Sequence, residues 1–158
     1  NALAAAAAGA GLGVDLEQVA AGLLGAALSG LRMELAQTAA GVTIINDAYN
    51  ANPTSMAAAL GALARLDAPK RIAVLGTMAE LGDDSAAAHR GVADLASSLG
   101  IDVIAVDEPT YGDDVEHVAD AAAAAQRVAA LGAPLAVLVK GSRVAALERV
   151  ADLLAADQ

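Results

Sequence analysis

Two short stretches carry most of the groups that could do chemistry. DAYNANP (residues 47–53) packs a carboxylate, a phenol, two carboxamides and a proline between an apolar run and an alanine-rich run. KGSR (140–143) brings a lysine, a serine and an arginine to the end of another apolar run. Asp47 at a strand end could accept hydrogen bonds from a ribose diol. Asn50 and Asn52 each donate and accept, which suits a peptide substrate. Asn52 also has a local reading as the cap of a following helix, with Pro53 in the first helical position. Lys140 and Arg143 would flank backbone N–H groups where a helix opens, a place suited to a carboxylate or phosphate. Read alone, that stretch is first an ordinary solvated strand–helix turn. Arg32 lies at the joint between the N-terminal helices and the first hairpin, where a guanidinium could reach a phosphate. Glu80, in AELG, could orient a partner. His89, within a helix, reads as a surface or satisfied residue rather than a ligand, and His117 as structural.

These groups need elements to position them. Residues 1–9 and the segment opening at Asp15 read as two helices. Asp15 and Gln18 have capping-box spacing, and Leu16, Val19, Leu23 and Leu24 form an apolar face. RMEL (32–35) and VTIIN (42–46) read as a hairpin. A helix follows Asn52, with Met56, Leu60 and Leu63 inward. Further strands are expected at 71–76, 102–107, within VEHVAD and at 135–141. Helices are expected at 85–99 (Val92, Leu95 and Leu99 inward), at 121–131 capped by Asp120, and at 144–155 (Leu147, Val150 and Leu154 inward). Alternating short strands and helices predict an α/β fold, a Rossmann-like and mostly parallel sheet covered by helices on both faces. The polar knots all follow strands, so they should gather along one rim.

Composition narrows the function. The 158 residues carry a net charge of −10. That argues against a nucleic-acid partner, which needs clustered cations, but leaves room for a nucleotide held by one or two of them. Cysteine is absent, so thiolate metal sites and disulfides are excluded. No apolar run is long enough to span a membrane. A cytoplasmic location is expected. The sequence contains no GxxxxGK[ST] loop and no GxGxxG. The helix opening flush with Asn1 suggests a piece of something longer.

NALAAAA, RME, NDAYNANPTSM, VLGTMAELG with a later histidine, and LVKGSR occur in this order in the Mur ligases. The wording most resembles the members that add D-alanyl-D-alanine. The resemblance covers nearly the whole chain. It implies that residues 1–29 are the last helices of a central ATPase domain, and that residues 31–158 are a C-terminal Rossmann-like domain. It implies ATP and Mg2+ as cofactors, with the metal ligands outside this chain. It implies D-alanyl-D-alanine and a UDP-N-acetylmuramoyl-tripeptide as partners, joined through an acyl phosphate. By position, Asn1 matches an adenine-contacting asparagine, Arg32 an arginine that reaches the ATP phosphates, and Asp47 the aspartate that holds the ribose. Asn50, Asn52, Lys140, Ser142 and Arg143 match positions lining the dipeptide cleft; Arg32 and Lys140 are the candidates for a catalytic role. Three positions depart from the family pattern: Leu31 and Asp107 stand where glycine is usual, and Thr77 where aspartate is usual. Two other readings stay open, a related amide ligase of folate or cyanophycin type, and a free-standing ligand-binding or interaction module without catalysis.

Overall fold

The structure is a computed structural model and describes residues 2–25 and 30–156. Two helices come first, α1 (Ala2–Gly11) and α2 (Leu16–Leu24). They meet where Gly9 leaves room, since a Cβ there would lie 2.9 Å from Val19 Cγ2. Neither helix has a buried residue. Asp15 is the N-cap of α2 but its side chain makes no capping hydrogen bond, so the expected capping box does not form. Leu16 and Leu24 face solvent, and the expected apolar face is not covered by the described residues.

The rest is one sheet between two layers of helices. Its strands are β1 (Glu34–Gln37), β2 (Val42–Asn46), β3 (Arg71–Leu75), β4 (Asp102–Val106), β5 (Glu116–Val118) and β6 (Leu135–Lys140). Their order is β1-β2-β6-β3-β4-β5. Only β1 runs antiparallel to its neighbour. The central strand β6 is buried at every position and is hydrogen-bonded to β2 and β3. Its side chains alternate between two cores, as the two-residue period of a strand requires. Ala136 and Leu138 join α3 (Pro53–Ala64) and α4 (Ser85–Ser98) on one face. Val137 and Val139 join α5 (Ala121–Ala130) and α6 (Glu148–Ala156) on the other. The α/β architecture matches the expectation from the alternating pattern.

The local signals hold where they are strongest. Asn52 caps α3, accepting from the Ser55 amide at 2.8 Å while the Ser55 hydroxyl accepts from the Asn52 amide at 3.1 Å. Asp120 caps α5 through the Ala123 amide at 2.8 Å. Met56, Leu60 and Leu63 are fully buried.

Three expectations need correction. The first strand starts at Glu34, not residue 32, because Leu31 and Met33 take φ of 61° and 50°, a left-handed turn that breaks the extended chain. The last helix starts at Glu148. The chain first makes a 3-10 turn at Arg143–Ala145 and passes through left-handed Ala146, with φ 47°. Leu99 is 37% exposed, because α4 ends at Ser98 and leaves Leu99 at its C-cap. Ala96 and Ile101 are buried around that corner instead.

Both positions where glycine was usual in the resembling family, Leu31 and Asp107, have positive φ, 61° and 50°. The backbone keeps the conformation that glycine adopts without a Cβ penalty, although a larger residue occupies it.

Two stability tests follow. Asn52→Ala should lower the unfolding free energy by about 1 kcal/mol in urea titration through loss of the cap, and Asn52→Asp should change it little. Leu31→Gly should raise stability by roughly 0.5 kcal/mol, relief of the left-handed strain exceeding the added chain entropy of glycine. A loss of stability in Leu31→Gly would mean that its side chain contributes packing that outweighs this strain.

Candidate functional site

The loops after β2 and β3 lead to helices on one face of the sheet, and the loop after β6 leads to α6 on the other. The carboxyl ends of β2, β6 and β3 therefore surround a switch point, the usual ligand position in open α/β sheets.

Asp47 follows β2 directly, and its amide extends the ladder to the Val139 carbonyl at 2.9 Å. Lys140 ends β6 beside it. The Lys140 ammonium donates to Asp47 Oδ2 at 2.6 Å and to the Asn50 carbonyl at 2.7 Å. Its side chain is 2% exposed and that of Asp47 14%. An ammonium is buried at this depth only with its protons satisfied, and here the loop after β2 supplies the acceptors. The second carboxylate oxygen of Asp47, Oδ1, accepts from the Met33 amide at 3.1 Å. The same loop is tied to the segment before β1 a second time, by the Tyr49 amide donating to the Leu31 carbonyl at 3.1 Å.

Arg32 is thereby held at the rim. Its guanidinium carbon lies 4.1 Å from the centre of the Tyr49 ring, within cation–π range. Gly30, Leu31, Tyr49, Asn50 and Arg143 line a shallow hollow of about 590 Å³. Arg32, Asn50 and Arg143 are exposed, so the rim presents two guanidinium groups and a carboxamide. Such a set suits an anionic or peptide ligand. A second hollow of about 400 Å³ lies among Thr77, Asp107, Asp120 and Arg149, and none of the expected site residues lines it.

Ser142 joins the loops from within. Its amide donates to the Thr77 carbonyl at 2.9 Å, and its hydroxyl oxygen accepts from the Ala79 amide at 2.9 Å. The hydroxyl also faces the Ala51 carbonyl at 3.4 Å. On the far side of the loop after β3, His89 accepts from the Met78 amide through Nε2 at 2.8 Å. Nδ1 meets the Ser85 carbonyl at 2.7 Å, so Nδ1 carries the proton. Tyr111 stands edge-on to His89, 4.9 Å between ring centres, and donates to the Gly76 carbonyl at 2.9 Å. Burial, then the charge of Glu108, pushes the Tyr111 phenol well above its ordinary value, so it remains a donor. Burial acts to raise Glu108 too, but hydrogen bonds from the Thr110 hydroxyl and amide and from Thr77 hold its carboxyl below the usual value.

Six expected residues thus come together: Arg32, Asp47, Asn50, Lys140, Ser142 and Arg143. Two of them are not where a cleft lining was expected. Lys140 and Ser142 are 2% and 3% exposed, because the neighbouring loops consume their polar atoms. Asn52 is exposed at the start of α3 with its oxygen committed to the cap. Glu80 is exposed at the loop tip with φ 66°. His89 is buried with both ring nitrogens bonded, which decides for the satisfied reading over the surface one. His117 is exposed and meets the Gly112 carbonyl at 2.7 Å. Asn1 lies outside the described residues. The sequence reading missed the seat of Arg32 on Tyr49 and the ion pair of Asp47 with Lys140. A tyrosine beside two asparagines was a signal for the first; the second joins residues 93 positions apart and left none. Among the described residues no cluster of three His, Asp or Glu could hold a metal ion.

Comparison with known proteins places the fold in a family. The family described as Mur ligase, glutamate ligase domain, matches residues 31–157. The UDP-N-acetylmuramoyl-tripeptide–D-alanyl-D-alanine ligase of Bacillus subtilis (strain 168) is 43% identical over 77% of this chain and 26% of its own. The crystal structure of MurF from Acinetobacter baumannii superposes with a TM-score of 0.82 at 34% identity, over 97% of this chain and 36% of that one. MurF from Thermotoga maritima in complex with ADP gives 0.78 at 26% identity, over 96% of this chain and 36% of that one. The chain spans about a third or less of the length of these relatives. On its fold, on the order of its motifs and on a family match that covers most of its length, the chain belongs to the Mur ligase family.

Proposed function

We propose that this chain is the C-terminal part of an ATP-dependent ligase that adds D-alanyl-D-alanine to a UDP-N-acetylmuramoyl-tripeptide. Residues 1–29 would close the central ATPase domain, and residues 31–158 would form a lid over the nucleotide. The observation that carries the reading is the joint itself: Arg32, Asp47, Asn50 and Arg143 gathered at one switch-point rim, beside a 590 Å³ hollow. The relative crystallised with ADP supports a nucleotide as the ligand.

In the reaction, the tripeptide carboxylate takes the γ-phosphoryl group of ATP. The dipeptide amine then attacks that carbonyl, and phosphate leaves as the amide forms. Charge builds on phosphoryl and carbonyl oxygens, so fixed cations lower the barrier. Arg32, exposed and braced on Tyr49, would meet the phosphates. Asp47 would accept the ribose hydroxyls with the lone pairs that Met33 and Lys140 leave free. Arg143 and Asn50 would receive the dipeptide, with Ser142 and Asn52 fixing the loops around it, and Asn1 would contact adenine. Mg2+ would be held outside this chain; the described residues offer no cluster for it. Closure of the lid would exclude water from the acyl phosphate. An enzyme that consumes ATP and a nucleotide-activated precursor belongs in the cytoplasm.

Two outcomes test the reading. Residues 1–158 expressed alone should form no amide product from ATP, D-alanyl-D-alanine and the tripeptide substrate in a chromatographic assay; product from the isolated chain would defeat the assignment of roles. In the protein at its full natural length, Arg32→Ala should leave the melting temperature unchanged while kcat/KM for ATP falls at least about tenfold, roughly 1.4 kcal/mol of transition-state stabilisation. An unchanged kcat/KM would remove Arg32 from the site.

A further inference from the structure

We infer that Lys140 is a positioning residue: its buried ammonium sets the Asp47 carboxylate and, through it, the segment that carries Arg32. The inference rests on the proposed reading of Asp47 and Arg32 as nucleotide-contacting groups. The Lys140 ammonium has its short contacts with Asp47 Oδ2 and the Asn50 carbonyl, at 2.6 and 2.7 Å, and a longer one with the Asp47 carbonyl at 3.5 Å. At 2% exposure it has no surface to offer a substrate. A direct part in the chemistry would require it to abandon an ion pair inside the protein, which is costly.

What it does instead follows from the carboxylate it holds. A carboxylate is rigid and planar, so fixing one oxygen orients the other. Asp47 Oδ1 accepts from the Met33 amide at 3.1 Å, and Met33 follows Arg32 in a left-handed conformation with φ 50°. One ammonium therefore fixes the tilt of the group proposed to meet the ribose, the path of the Arg32 backbone, and the Asn50 carbonyl at the edge of the hollow. Without it, the carboxylate would turn freely and the joint before β1 would lose its anchor.

The test compares Lys140→Met, Asp47→Asn and the double variant in the full-length protein, reading ATP KM, kcat and hydrogen exchange of the Met33 amide. A positioning role predicts that Lys140→Met raises ATP KM about tenfold with kcat within about threefold. The double variant should be no worse than Asp47→Asn alone, because the two act as one unit. Exchange at the Met33 amide should quicken about tenfold or more in Lys140→Met, and Lys140→Arg should restore most of both properties. If Asp47→Asn raises ATP KM while Lys140→Met does not, the positioning role is overturned and the ligase reading stands. A collapse of kcat at unchanged KM would also overturn it, by marking Lys140 as a group at the reacting atoms. If Asp47→Asn leaves ATP KM unchanged, the ribose role fails; the Met33 exchange then decides by itself, and unaltered exchange in Lys140→Met overturns the inference. Should Lys140→Met not fold, Lys140→Gln, which keeps a donor and loses the charge, takes its place in every comparison.

Discussion

A single ammonium, that of Lys140, must find acceptors in the interior, and the arrangement of the rim follows from how it does so. Asn46 and Val139 are register partners in the parallel pair β2–β6, so the next residues on each strand, Asp47 and Lys140, emerge side by side. The charge of Lys140 is neutralised by Asp47 and its remaining bonding is met by the Asn50 carbonyl. Losing either partner would leave a buried charge uncompensated, which is far more costly than the pair is stabilising. The loop after β2 therefore cannot drift from the end of β6. Because Asp47 also holds the Met33 amide, the constraint passes to the chain that precedes the sheet.

The loop after β3 is fixed by a different means, with neutral groups. Ser142 holds it from the β6 side and His89 from α4. Tyr111 ties its first residue, Gly76, to the 3-10 turn Pro109–Tyr111 that follows β4. Gly76 itself must be small: a Cβ there would lie 2.9 Å from Ala145 Cβ and from Leu147 Cδ1. Each of these polar atoms is paired, which is the condition for burying them in a medium that screens poorly. The result is a rigid floor of three strand ends, with exposed Arg32, Asn50 and Arg143 raised above it. Rigid support of this kind is what a site needs if its charges are to meet a transition state without reorganising.

Departures from the family pattern have a common physical sense at two positions. Leu31 and Asp107 replace glycine but keep a positive φ. The turn is imposed by its surroundings, the Tyr49 amide on the Leu31 carbonyl and the Val118 carbonyl on the Asp107 amide. Thr77, in place of an aspartate, contributes a hydrogen bond that helps keep Glu108 ionised.

The amino-acid order by itself determined the elements and their two-sided burial. Apolar runs such as LAVLVK and helical stripes such as Met56, Leu60 and Leu63 act over a few residues, and so do the caps at Asn52 and Asp120. Short-range preferences of this kind are legible one segment at a time. Gathering the polar knots on one rim was legible too, since each knot follows a strand and parallel strands end together. Tertiary structure alone decided which knots touch. Only the insertion of β6 between β2 and β3 makes Lys140 a neighbour of Asp47, and only the crowded strand ends turn Lys140 and Ser142 inward. The break at Ala146 and the outward turn of Leu99 have the same origin. The direction of a side chain at an element's end depends on acceptors and volumes brought from distant parts of the chain, and these exist only once the sheet has formed.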